Sequence, residues 1–204
     1  YNTALNVSPI NNQVNPSGQV FFSSALVSAG AGTDVVTSGT TQNDSACFVE
    51  GPSGNSLVAR RGDSPAFLSG AAFGAFTTNP GAQTINSNGD VLFNHTLSTT
   101  QGSTPATASN DTCIVAKVGS SLQLVAREGG AVTVNGNPET YLAGQSLSNG
   151  LASLGQTWNN NGRAIYGAKF TPSANITAGT NDLGIMTWQA GVSTVAVQSG
   201  LTVV

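Results

Sequence analysis

Three stretches of the chain repeat one another: QVNPSGQVFFSSAL (13–26), TINSNGDVLFNHTL (84–97) and TWNNNGRAIYGAKF (157–170). Each places Asn three residues before Gly and follows it with an alternating apolar run, and Gly18, Gly89 and Gly162 stand 71 and 73 residues apart. The likeness continues downstream through NDSACFVE, NDTCIVAK and NDLGIMTW to NSLVARRG, LQLVAREG and STVAVQSG. A chain made of similar units must bury similar surfaces in each of them, so the repeat restricts the fold to one supersecondary unit used several times. The units span 1–70, 71–143 and 144–204.

Each unit reads as four strands. A short strand enters an Asn-x-x-Gly turn, whose Asn and Gly tolerate positive φ, and leads into VFFSSAL, VLFNHTL or AIYGAKF. A variable loop follows (27–42, 98–109, 171–180), then a strand opened by Asn-Asp, a Gly-containing turn and a strand of the type SLVAR. Helical periodicity and capping boxes are absent. The expectation is an all-β chain of three tandem four-stranded antiparallel blades, β-propeller-like. Three blades fall short of the roughly four to eight that close a ring, so the expectation is either a fragment of a longer array or copies that associate and cover the outer faces of the first and last units.

N-x-x-G-x-V-x-F followed by L-V-A-R-x-G-D resembles the tandem blade repeats of secreted or surface-anchored bacterial proteins. The resemblance spans essentially the whole chain and implies an extracellular or cell-surface setting without implying an activity. The third unit departs from it where the Arg-x-Gly element becomes Gln198-Ser199-Gly200. Composition agrees with such a setting. Only 7% of residues are charged, against roughly a quarter in an ordinary domain, so the polar surface is built from Ser, Thr, Asn and Gln. A net charge of -3 without a basic cluster argues against nucleic acid. No run approaches the ~20 apolar residues of a membrane span.

Residues that could carry chemistry are few. The sole histidine, His95, alternates with Phe93 and Leu97 on one face of its strand, as a structural residue or the lining of a groove. No serine lies in a G-x-S-x-G elbow, so nucleophilic catalysis has no support. Cys47 and Cys113, read as standing at matching places in consecutive units, give no metal-binding spacing and are expected to be small buried side chains. Asp44, Asp111 and Asp182 recur after Asn, which fits an Asx turn; calcium would require more oxygen ligands than surround them. Trp158 and Trp188 are the available tryptophan platforms for a sugar, both in unit three. Arg61-Gly62-Asp63-Ser64-Pro65 spells an adhesion motif, but it falls at the exit of a strand where turn chemistry is expected.

These features point to a secreted, non-enzymatic structural protein that associates with copies of itself as a filament or closed oligomer, without cofactor or metal. The alternative is a glycan-binding or adhesive module, with Trp158, Trp188 and His95 as ligand contacts. The apolar end Leu201, Thr202, Val203 and Val204 is the sequence's candidate for an assembly strand.

Overall fold

Alternating side chains become antiparallel ladders in all three units. The computed structural model describes residues 13–26, 35–76, 83–142 and 157–200. Unit one gives β1 (Gln13–Val14), β2 (Val20–Ala25), β3 (Ser45–Gly51) and β4 (Gly54–Arg60), joined in the order β1-β2-β3-β4. A single 3-10 turn at Ala66–Leu68 leads to β5 (Ala71–Phe73), β6 (Gln83–Ile85), β7 (Val91–Gly102), β8 (Thr112–Val118) and β9 (Ser121–Arg127). The hairpin β10 (Ala131–Val134) and β11 (Asn137–Thr140) follows. The last sheet runs β12 (Thr157–Trp158), β13 (Arg163–Lys169), β14 (Leu183–Gln189) and β15 (Val192–Gln198) in sequence order.

The all-β class stands, but the β-propeller-like arrangement of three four-stranded blades does not. The strands form four separate sheets of two to five strands. Two features break the equality of the units. β7 is twelve residues long, and its second half pairs with β5 (Ala71 opposite Gly102, Phe73 opposite Leu97), which makes the second sheet five-stranded. The segment AVTVNGNPET (131–140), outside the four-strand pattern, closes on itself. Asn135 and Gly136 adopt φ of 50° and 83°, the left-handed pair that a two-residue hairpin requires, and β10–β11 stands as its own sheet.

Side chains along β7 point alternately into two cores. Val91 and Phe93 join Phe21, Cys47, Val49 and Ala59 of the first sheet; Leu92 joins Ala164, Tyr166, Met186 and Trp188 of the third. The second sheet is thus covered on both faces, and its strands read as continuous apolar runs, VLF and CIVA. Of the residues equivalent to Phe21, Phe21 itself faces the second sheet and Leu92 the third.

The turn glycines share a positive φ but differ in surroundings. A Cβ on Gly89 (φ 81°) would lie 2.7 Å from Gln19 Oε1 of unit one, whereas one on Gly162 (φ 69°) meets nothing within 4 Å. Gly162→Ala is expected to cost the left-handed penalty alone, about 1–2 kcal/mol, and Gly89→Ala measurably more, by urea unfolding. Equal costs would mean that the Gln19 contact contributes nothing.

Candidate functional site

The Asn-x-x-Gly turns do more than reverse the chain. In each, the first Asn accepts through Oδ1 from the main-chain N–H four residues on: Gln19 (2.8 Å), Asp90 (2.9 Å) and Arg163 (2.9 Å). This fixes the carboxamide with Nδ2 turned outward. Asn15 Nδ2 then donates to the carbonyl of Asn86 (2.7 Å), and Asn86 Nδ2 donates to that of Asn159 (3.0 Å). A second rung runs beside the first: Ser17 Oγ donates to the Ser87 carbonyl (3.1 Å), and Asn88 Nδ2 to the Asn160 carbonyl (2.9 Å). Successive turns are tied in a polar ladder that runs from the first sheet through the second to the third.

The apolar faces obey the same repeat, and they end unevenly. Phe21 and Leu92 are buried toward the next sheet; their equivalent in unit three, Ile165, is 42% exposed. Ala59 and Ala126 are buried likewise, yet Val197 at that position is 47% exposed. At the other end, Ile85 and Trp158 are buried against the preceding sheet, while the matching Val14 is 66% exposed. Leu124 and Val195 pack onto their cores, and Leu57 at the same position is 54% exposed. The outer face of sheet three also holds a depression of about 340 Å³ lined by Arg163, Thr187, Val192 and Thr194. Exposed Arg163 on this face and exposed Glu50 on the outer face of sheet one have opposite charges.

The Asn-Asp segments are turns. Asn43, Asn110 and Asn181 accept through Oδ1 from the main chain of Val36 (2.6 Å), Thr107 (2.8 Å) and Thr177 (2.6 Å). Their own carbonyls accept from Arg60 Nε (2.6 Å), Arg127 Nε (2.9 Å) and Gln198 Nε2 (2.6 Å). Gln198, which departs from the repeat in sequence, makes the same clasp. Among the described residues no group of three or more His, Cys, Asp or Glu side chains is placed to hold a metal.

The adhesion-like string is tied into this clasp. Arg61 Nη1 lies 3.0 Å from Asp44 Oδ1, and Nη2 donates to Gln42 Oε1. Asp63 Oδ2 accepts from the Arg60 N–H at 2.8 Å, and the Asp63 main chain exchanges bonds with Arg60 and Phe73. The arginine and aspartate that a receptor would read are used within the turn.

The three sequence candidates for ligand contact all lie inside cores and are not brought together. His95 stacks on Phe76 (centroids 3.9 Å apart, 10° between planes), with Nε2 3.3 Å from the Gly74 carbonyl, between sheets one and two. Trp158 and Trp188 lie 5.8 Å apart between sheets two and three, and no aromatic face is left open for a sugar. Cys47 and Cys113 are buried and free, and are displaced by one position from strict equivalence: Cys47 pairs with Ser23 and faces the second sheet, whereas Cys113 pairs with His95 and faces the first. Burial pushes the Cys113 thiol up to about 12 and that of Cys47 further. Leu201–Val204 lie outside the described residues. The ladder residues Asn15, Asn86 and Asn159 were visible in sequence only as turn formers. Their strict recurrence was the one signal of a second task.

Residues 31–179 match the profile of DUF7453, a family of unknown function. No curated protein and no solved structure matches the chain.

Two buried groups make stability depend on pH in opposite senses. Burial lowers His95 to about 4, so between 6.5 and 4 the unfolded chain takes a proton that the folded chain refuses, and stability falls as pH falls. Burial first, and then the neighbouring Asp111, raise Glu128 from 4.5 to about 7, so its cost is absent in acid and complete above neutrality. The windows overlap, and the parent is expected to be nearly level between pH 4.5 and 6.5. His95→Leu should uncover a loss with rising pH, and Glu128→Gln a loss with falling pH, each on the order of 2 kcal/mol in urea titrations. Variant profiles parallel to the parent's would refute both assignments.

Proposed function

We propose that this chain, which belongs to the DUF7453 family, is a non-enzymatic structural protein of the extracellular space that associates head to tail with copies of itself. The observation that supports the reading is that its two end sheets leave open faces of complementary kinds. The face left open on sheet three is of the kind that packs twice within the chain against the face left open on sheet one. Ile165 and Val197 on one side, and Val14 and Leu57 on the other, are each of a size whose full burial is worth about 1.5–3 kcal/mol. Arg163 and Glu50 add a complementary charge pair at the same edge. A surface polar through Ser, Thr and Asn opposes assembly with little net repulsion. The glycan-binding alternative has lost its platforms, since both tryptophans and His95 are taken up by packing.

Sedimentation of the full chain over a range of concentrations tests this. The parent is expected to form species larger than a monomer, and Ile165→Lys or Leu57→Lys to remain monomeric. Each variant spoils one end only, so an equimolar mixture of the two should recover a single dimeric species, which a two-fold symmetric contact would not give. A monomeric parent, or lysine variants that assemble like the parent, would overturn the reading.

A further inference from the structure

The polar ladder stops within the chain with its donors unused. Asn15 and Asn86 are buried because the next turn covers them, and each spends Nδ2 on that turn's carbonyl. Asn159 holds the same internal geometry, with Oδ1 accepting from Asn161 N–H (3.0 Å) and Arg163 N–H (2.9 Å), but it is exposed. Among the described residues its Nδ2 donates to none. Asn161, the counterpart of Ser17 and Asn88, is likewise exposed with its side-chain amide free of any described acceptor. At the other end of the chain, Asn15 and Pro16 supply the carbonyls that correspond to those used on Asn86 and Ser87, and on Asn159 and Asn160.

We infer that Asn159 and Asn161 set the register of the junction between copies, donating through Nδ2 to the main-chain carbonyls of Asn15 and Pro16 of the next copy. The inference rests on the head-to-tail reading above and adds what the apolar faces lack. Aliphatic contact is non-directional, and a sheet face can slide along its neighbour by two residues and keep the same side chains inward. Two amide donors meeting two carbonyls are satisfied at one position only. Each carbonyl keeps a free lone pair for the task, since Asn15 O accepts one described bond, from Gly18 N–H, and Pro16, lacking an N–H, presents only its oxygen at that step. The donors belong to one end and the acceptors to the other, so the same contact made twice would extend an array rather than pair two identical ends.

Asn159→Asp isolates the donor. The carboxylate still accepts the two turn N–H groups, so the thermal midpoint of the chain should hold, while the outward N–H is lost and a charge faces a carbonyl. The dissociation constant from sedimentation is expected to rise about tenfold, and further with Asn161→Ala added. A second measurement does not depend on that variant folding. Pro16→Cys and Asn161→Cys chains, mixed under oxidising conditions, should give a mixed disulfide and little of either homodimer, the native thiols being buried. If Asn159→Asp assembles at the parent's concentration and no mixed disulfide forms, while Ile165→Lys still blocks assembly, the register assignment is wrong and the face reading survives. A parent that never assembles removes both.

Discussion

One carboxamide, repeated, holds the arrangement of sheets in place. Asn15 and Asn86 each satisfy two demands at once: Oδ1 occupies the main-chain donor inside its own turn, and Nδ2 takes a carbonyl of the turn in the next unit. The two tasks together could not be given to Asp, which lacks the donor, nor to Ser, which is too short to serve both. With the turns fixed at this spacing, the strands that leave them are placed to bury Phe21 against Phe93 at 5.8 Å on one level. Leu92 is placed in the next core in the same way. Packing between sheets is therefore organised from a polar edge inward.

Several polar atoms within the cores find local partners, whereas Nε1 of Trp158 and of Trp188 are buried without one. Tyr141 and Tyr166 bring their hydroxyls to 2.7 Å, Tyr166 donates to Ser193 Oγ at 2.9 Å, and Ser193 Oγ donates to the Val125 carbonyl at 3.2 Å, a chain that bridges sheets two and three. His95 gives its proton to Gly74 and otherwise behaves as an aromatic filler among Phe73, Phe76 and Phe93. Burying such groups without partners would cost several kcal/mol each. With partners they constrain which way each sheet can face.

Legibility in the sequence followed the range of the interaction. The strands β2, β7 and β13 and the turns before them were readable because period-two alternation and Asn-x-x-Gly are local signals. His95 was readable as a same-face neighbour of Phe93 for the same reason. The pairing of β5 with β7 was not, because a three-residue strand, AAF, carries no pattern of its own, and it is the partner that makes it a strand. The β10–β11 hairpin had only the local signal Asn135-Gly136 and fell outside the four-strand pattern. The one-residue offset of Cys113 hid in an alignment drawn by eye, and it reverses the face on which the thiol lies. Trp158 and Trp188 looked like platforms because sequence does not tell a ring on the surface from one between sheets.

The clasp of Asn43, Asn110 and Asn181 shows how little this molecule relies on charge. Two positions close it with arginine and one with glutamine, at nearly the same distance and on the same carbonyl. Between described residues the ion pairs are Arg61 with Asp44 and Lys169 with Asp182. Most of the remaining ties are hydrogen bonds to main-chain or neutral polar groups, a few of them from arginine or to a carboxylate, and contacts between apolar side chains. Dissolved ions screen fields between exposed charges over about 8–10 Å at ordinary ionic strengths, and here there is little field to screen. A chain built this way is expected to owe little of its form to the salt content of the medium.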